Sequence, residues 1–116
     1  MGLDQWIEDE NGKELISWRK VNCVNRWVNE NVGTVENCER VEITIEQLKE
    51  LKETCQKVLE NNSLADEILP TQSGFFFGSI DYDEWYFNDL EYTISVIDEL
   101  LENEEFEGNL YYVAWW

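Results

Sequence analysis

Apolar and polar positions follow one period near the start of the chain and another further on, with turn residues between the blocks. Trp6-Ile7 and Leu15-Ile16 flank the turn dipeptide Asn11-Gly12, which predicts an N-terminal hairpin within residues 1–16 closed by a two-residue turn. From Ser17 to Asn31 the apolar residues Trp18, Val21, Val24 and Val28 recur at three and four, the helical period, and Gly33 suits the stop. A second helix starts with a capping box made by Thr44 and Gln47. Ile45, Leu48, Leu51, Cys55, Val58 and Leu59 trace its apolar face. Lys49, Glu50, Lys52 and Glu53 solvate its other side.

Pro70 separates these blocks from the aromatic and acidic C-terminal part of the chain. Gly74-Phe75-Phe76-Phe77-Gly78 is short, aromatic and bracketed by glycines, and reads as a buried strand. Asp81 or Asp83 then caps a third helix running to about Asn103, with a core stripe of Phe87, Leu90, Ile94, Ile97 and Leu101. After Gly108-Asn109, the run from Leu110 to Trp116 reads as a terminal strand, expected to lie beside the phenylalanine strand. The fold class that results is α+β, about three helices packed on a small antiparallel sheet, in a single domain over residues 1–116.

Charge changes the picture more than length does. Acidic residues number 26 against 8 basic ones, for a formal net charge of −18, which repels nucleic acid and anionic membrane and attracts basic surfaces. The last basic residue is Lys57, so everything from Val58 to Trp116 carries acids of one unmixed sign. With hydrophobic residues at 43% there is still enough apolar surface for a core, which argues against disorder. No apolar run approaches the roughly 18 residues of a membrane span. Cys23, Cys38 and Cys55 are odd in number, and the first ten residues carry acids where a secretory leader needs a basic and then apolar run. Reduced thiols in a cytoplasm are the expectation.

Candidate chemistry is thin. The chain contains no histidine, which removes the commonest general base and zinc ligand and every Ser-His or Cys-His nucleophile. The cysteines lack paired zinc spacing, and Cys55 falls on an apolar helix face. Gly74 and Gly78 flank phenylalanines with no following lysine, unlike a phosphate loop. Asp81, Asp83, Glu84 and Asp89 lack the glycine and terminal glutamate of a calcium loop, so a carboxylate-based metal hydrolase is only a third reading and capping is the better account. No catalytic residue, metal or cofactor is expected.

The third helix carries the partner-binding candidates. Stepping 100° per residue puts Glu84, Glu91, Asp98 and Glu102 along one flank, with Asp89 and Glu99 further round and Asp81 and Asp83 at its start. Over about 30 Å of helix the acids come roughly every 4 to 5 Å, close to the ~3.4 Å spacing of phosphates along one DNA strand. A second apolar line, Trp85, Tyr92, Val96 and Leu100, runs almost opposite the core stripe. Burial between sheet and helices is expected for it; exposure would make it a homodimer contact or an aromatic anchor.

Two segments also carry a resemblance. Trp18-Arg19-Lys20-x-Asn22 with Trp27, and Leu69-Pro70-Thr71-Gln72-Ser73-Gly74-Phe75-Phe76-Phe77-Gly78-Ser79 followed by Asp81-Tyr82-Asp83-Glu84-Trp85, resemble a family of small bacteriophage- and prophage-encoded proteins, from about Trp18 to the C-terminus. The resemblance implies a phage origin and a host-cell cytoplasm, and brings no catalytic residue with it. The expected function is inhibition of a basic host nucleic-acid-handling defence protein, of anti-CRISPR or anti-restriction type, by acidic mimicry of nucleic acid or steric block. The competing expectation is a small adaptor that binds proteins through aromatic contacts.

Overall fold

Alternation of buried and solvent-facing residues builds a four-stranded sheet. The computed structural model describes residues 2–74, 78–104 and 106–116. Its elements in chain order are β1 (Asp4–Glu8), β2 (Glu14–Arg19), α1 (Asn22–Asn31), β3 (Arg40–Ile43), α2 (Ile45–Glu60), a 3-10 turn (Asn62–Leu64), α3 (Ala65–Ile68), α4 (Glu84–Asn103) and β4 (Leu110–Trp115). The strand order is β2-β1-β4-β3 with every pair antiparallel. Register places Trp18 opposite Gln5, Ile7 opposite both Ile16 and Tyr112, and Ile43 opposite Leu110 on one face. These side chains join Val24, Val28, Leu48, Leu51, Leu90 and Ile97 in the core, while Gln5 is buried among them. The fold class is as expected, α+β with a small antiparallel sheet in one unit around one core.

Local signals set the two long helices. Thr44 and Gln47 form the reciprocal capping box of α2, whose Leu48, Leu51, Cys55 and Val58 are buried. Asp83, not Asp81, caps α4, accepting from the Tyr86 backbone N–H at 3.1 Å. The core stripe of α4 is turned from the expected one: Tyr86, Leu90, Thr93, Ile97 and Leu100 are buried, and Phe87, Ile94 and Leu101 only partly. The cause is that α4 packs on both α2 and β2, and on the β2 side Trp18 Nε1 donates to Thr93 Oγ1 at 3.0 Å.

The first helix starts later than its period suggests. Ser17, Trp18 and Arg19 belong to β2, because Trp18 also fits an alternation with Ile16 and β1 offers a ladder to pair with. Lys20, at φ 58°, breaks the strand before α1 begins. The N-terminal hairpin is present, but its connection is longer than two residues: β1 ends at Glu8 and β2 begins at Glu14. Asp9 organises that loop, its Oδ1 accepting from the backbone N–H groups of Asn11 and Lys13 at 2.9 and 3.0 Å. Its Oδ2 accepts from the Glu107 N–H at 3.2 Å, tying the hairpin to the segment before β4. Those hydrogen bonds, that from Lys13 first, hold the Asp9 carboxyl below its ordinary value.

The pairing expected for the terminal strand is also corrected. Phe75, Phe76 and Phe77 lie outside the described residues, and β4 has its two edges occupied by β1 and β3, so no place beside it remains for a phenylalanine strand. Ahead of β3 the Asn37 to Ala114 bridge extends that cover.

A buried hydrogen-bond chain locks the sheet to α1. Gln5 Nε2 donates to Tyr112 Oη at 2.7 Å, Tyr112 Oη donates to Asn25 Oδ1 at 2.9 Å, and Asn25 Nδ2 donates to Gln72 Oε1 at 2.9 Å. Gln5 also binds both backbone groups of Val21. Removing the central hydroxyl leaves Asn25 Oδ1 without its donor and takes one of two acceptors from Gln5 Nε2, so Tyr112→Phe should cost about 1–3 kcal/mol in urea unfolding. Thr44→Ala, which opens only the α2 cap, should cost about 1 kcal/mol. An unchanged unfolding midpoint for Tyr112→Phe would show that the chain is not a stabilising element.

Candidate partner-binding surface

The surface of α4 is presented by the loop that precedes it. Asn22 Nδ2 donates to the Ser79 carbonyl at 2.8 Å, and Asn22 Oδ1 accepts from the Gln72 N–H at 3.0 Å. Arg26 Nη1 donates to the Thr71 carbonyl at 2.9 Å, and Tyr86 Oη donates to the Leu69 carbonyl at 2.7 Å. Within the loop Thr71 Oγ1 donates to the Ile80 carbonyl at 2.9 Å. The polar side of α1 therefore grips the described parts of the segment that carries the long central motif. These gripping residues were absent from the expected site. Asn22, Asn25 and Arg26 are polar positions among the apolar residues at the start of α1, and that is the one sequence signal they carry.

Beyond that loop, the expected acidic residues divide into groups. Glu84, Glu91, Glu99 and Glu102 are exposed on one side of α4 and form no ion pair with a described residue. Asp81 is exposed in the preceding loop, and Asp83 is occupied as the cap. Asp98 is drawn to α2, where Lys52 pairs with it. Asp89 departs from the column: it lies about 140° round the helix from Glu84 and turns toward β2. There it is half-buried and lines two adjoining grooves, of about 600 and 280 Å3.

The second apolar line splits as well, against the expectation of burial. Leu100 is in the core and Val96 is half-buried, but Trp85 is 76% exposed and Tyr92 44%. Tyr92 leans across the sheet edge and donates its hydroxyl to the Ser17 carbonyl of β2 at 2.7 Å. Ile80 and Tyr82 are exposed just ahead of Trp85, so α4 opens with an apolar surface beside its acids.

Burial pushes the Cys55 thiol up to about 12 and raises Cys23 further, so neither supplies a thiolate at neutral pH. Among the described residues no group of three or more Cys, Asp or Glu side chains gathers as a metal site. No helix among the described residues is long and apolar enough to cross a membrane. No family model, curated protein or solved structure matches the chain.

Asp89 is the electrostatic exception. Desolvation first, and the nearby Asp83 charge second, raise its pKa from an ordinary 3.8 to about 6. Between those values the folded protein holds a proton that the unfolded chain has released, so stability drawn from this site falls as pH rises from 4 to 6. Carboxyl NMR should find the Asp89 midpoint well above the ordinary aspartate value of 3.8. Asp89→Asn should raise Tm relative to wild type more at pH near 7 than near 4. An equal Tm difference at both pH values would mean that the group is solvated and carries no desolvation cost.

Proposed function

We propose that this protein is a phage-encoded binding protein that docks on a basic, nucleic-acid-handling host defence protein through α4 and blocks its nucleic-acid site. An anti-CRISPR or anti-restriction role is the concrete form, and the resemblance to phage proteins supports it. The observation that carries the reading is the exposed row Glu84, Glu91, Glu99 and Glu102, without an ion pair among the described residues, on a 20-residue helix that contains no basic residue. A groove that uses Lys and Arg to hold phosphates offers this row the same charge pairing and the same release of bound counterions. Steric exclusion of nucleic acid then needs no cofactor and no chemistry.

A second reading rests on Trp85 and its neighbours Ile80 and Tyr82, whose exposure suits an aromatic anchor in an adaptor. Two sets of variants separate them. In a pull-down from host lysate, the mimic reading predicts capture of a basic nucleic-acid enzyme that added duplex DNA displaces, and at least a tenfold weaker capture by a Glu84, Glu91, Glu99, Glu102 to Gln variant. The adaptor reading predicts that Trp85→Ala alone removes capture and that DNA has no effect. Capture that ignores both DNA and the four-glutamate change would end the mimic proposal.

A further inference from the structure

The aromatic side of α4 contains a carboxylate that lacks the cation its surroundings suit. Trp85, Asp89 and Tyr92 are spaced four and three apart, so they sit as neighbours on one face of the helix. Asp89 lies at the junction of the two grooves, with Trp85 in the wall of the smaller and Tyr92 in the wall of the larger. Its carboxylate receives no hydrogen bond and no ion pair from a described residue. The cations nearest in the lining do not fill the gap: Arg19 pairs with Asp4 at 3.4 Å, and Lys20 is exposed on the turn after β2. In the larger groove Asp4, Glu14 and Asp89 face a single basic residue, Arg19, so the empty space is negative as well as aromatic.

We propose that Asp89 is the receptor for one arginine side chain of the basic partner, its carboxylate pairing with the guanidinium while Trp85 and Tyr92 flank the planar group. Guanidinium fits better than ammonium because it is planar, binds a carboxylate through two parallel N–H groups, stacks on aromatic faces and is the more weakly hydrated cation. The contact rests on the reading of α4 as a surface for a basic partner, and it adds the specific anchor that a row of solvated glutamates lacks. Screening weakens the exposed row, whereas a half-buried pair is screened much less. The raised pKa of the free carboxylate supports the assignment, since an opposite charge at this position would offset the burial and the Asp83 charge that raise it. Burial and Asp83 at the helix cap raise Asp89, and the other titratable or charged groups facing it are Cys23 of α1, Arg19 and Glu14 of β2, Asp4 of β1, and Asp81 and Lys20 of the smaller groove.

The test uses the full chain and three blocked tripeptides, glycine-arginine-glycine and its citrulline and lysine counterparts, followed by carboxyl and indole NMR at neutral pH. The arginine peptide should shift the Trp85 indole and Tyr92 ring signals and lower the Asp89 midpoint. The lysine peptide should bind several-fold more weakly and the neutral citrulline peptide not measurably. Asp89→Asn, close to isosteric and checked for an unchanged amide spectrum, should lose at least tenfold in arginine-peptide affinity. The proposal is overturned if arginine and citrulline peptides bind alike, if Asp89→Asn binds as wild type does, or if the shifts map to Glu91 and Glu99 instead. Failure here, with partner capture still lost in the four-glutamine variant, removes the arginine contact and leaves the mimic reading standing. Arginine binding with capture unaffected by the four-glutamine change has the reverse meaning.

Discussion

The structure depends on a buried chain of hydrogen bonds, Gln5 to Tyr112 to Asn25 to Gln72, running from the sheet through α1 to the loop ahead of α4. In a low-dielectric interior such groups are tolerated only when each has its partner, so the chain admits one relative placement of β1, β4, α1 and that loop. Among the described residues every buried side-chain nitrogen and oxygen is partnered. Apolar packing drives the collapse, and this chain decides which collapsed arrangement is native. Because Asn22 and Arg26 of the same helix hold Thr71, Gln72 and Ser79, the start of α4 is set from the α1 side of the core and not by the surface.

With its start fixed, α4 has three sides with different work. One side fills the core, held against α2 by apolar contacts and by the Lys52 to Asp98 pair. Another offers carboxylates to solvent that form no ion pair with a described residue. The third places Asp89 between two exposed rings above β2. A high net charge works against compactness through self-repulsion. The 20-residue helix carries six acids and no base, so that cost falls on an element whose other side is packed in the core.

What the sequence revealed was mostly what is local. The capping box of Thr44 and Gln47, the Asp83 cap and the end of α4 near Asn103 depend on residues a few positions apart, and all three were legible. Trp18 satisfied two periods at once, and only the presence of β1 as a ladder partner decides for strand. The four residues of β3 alternate too briefly to stand out, and the neighbours of β4 lie more than sixty residues away along the chain in the case of Ile43. The acidic side of α4 could be read from helical stepping because exposure is its only requirement. The isolation of Asp89 could not, because it depends on which other side chains fail to reach it. The strand expected at Gly74 to Gly78 falls mostly outside the described residues, while Thr71 and Gln72 of the same motif fasten a loop to α1, a role that no local pattern marks.

The central claim is that unpaired carboxylates on α4 recognise a surface made for phosphates. Its most direct test is the slope of log Kd against log salt concentration for the purified complex with its captured partner, compared between wild type and variants with one, two and four of Glu84, Glu91, Glu99 and Glu102 changed to Gln. The account predicts a steep salt dependence that flattens stepwise as carboxylates are removed. A slope near zero for wild type, or one that stays the same in the four-glutamine variant, would contradict it.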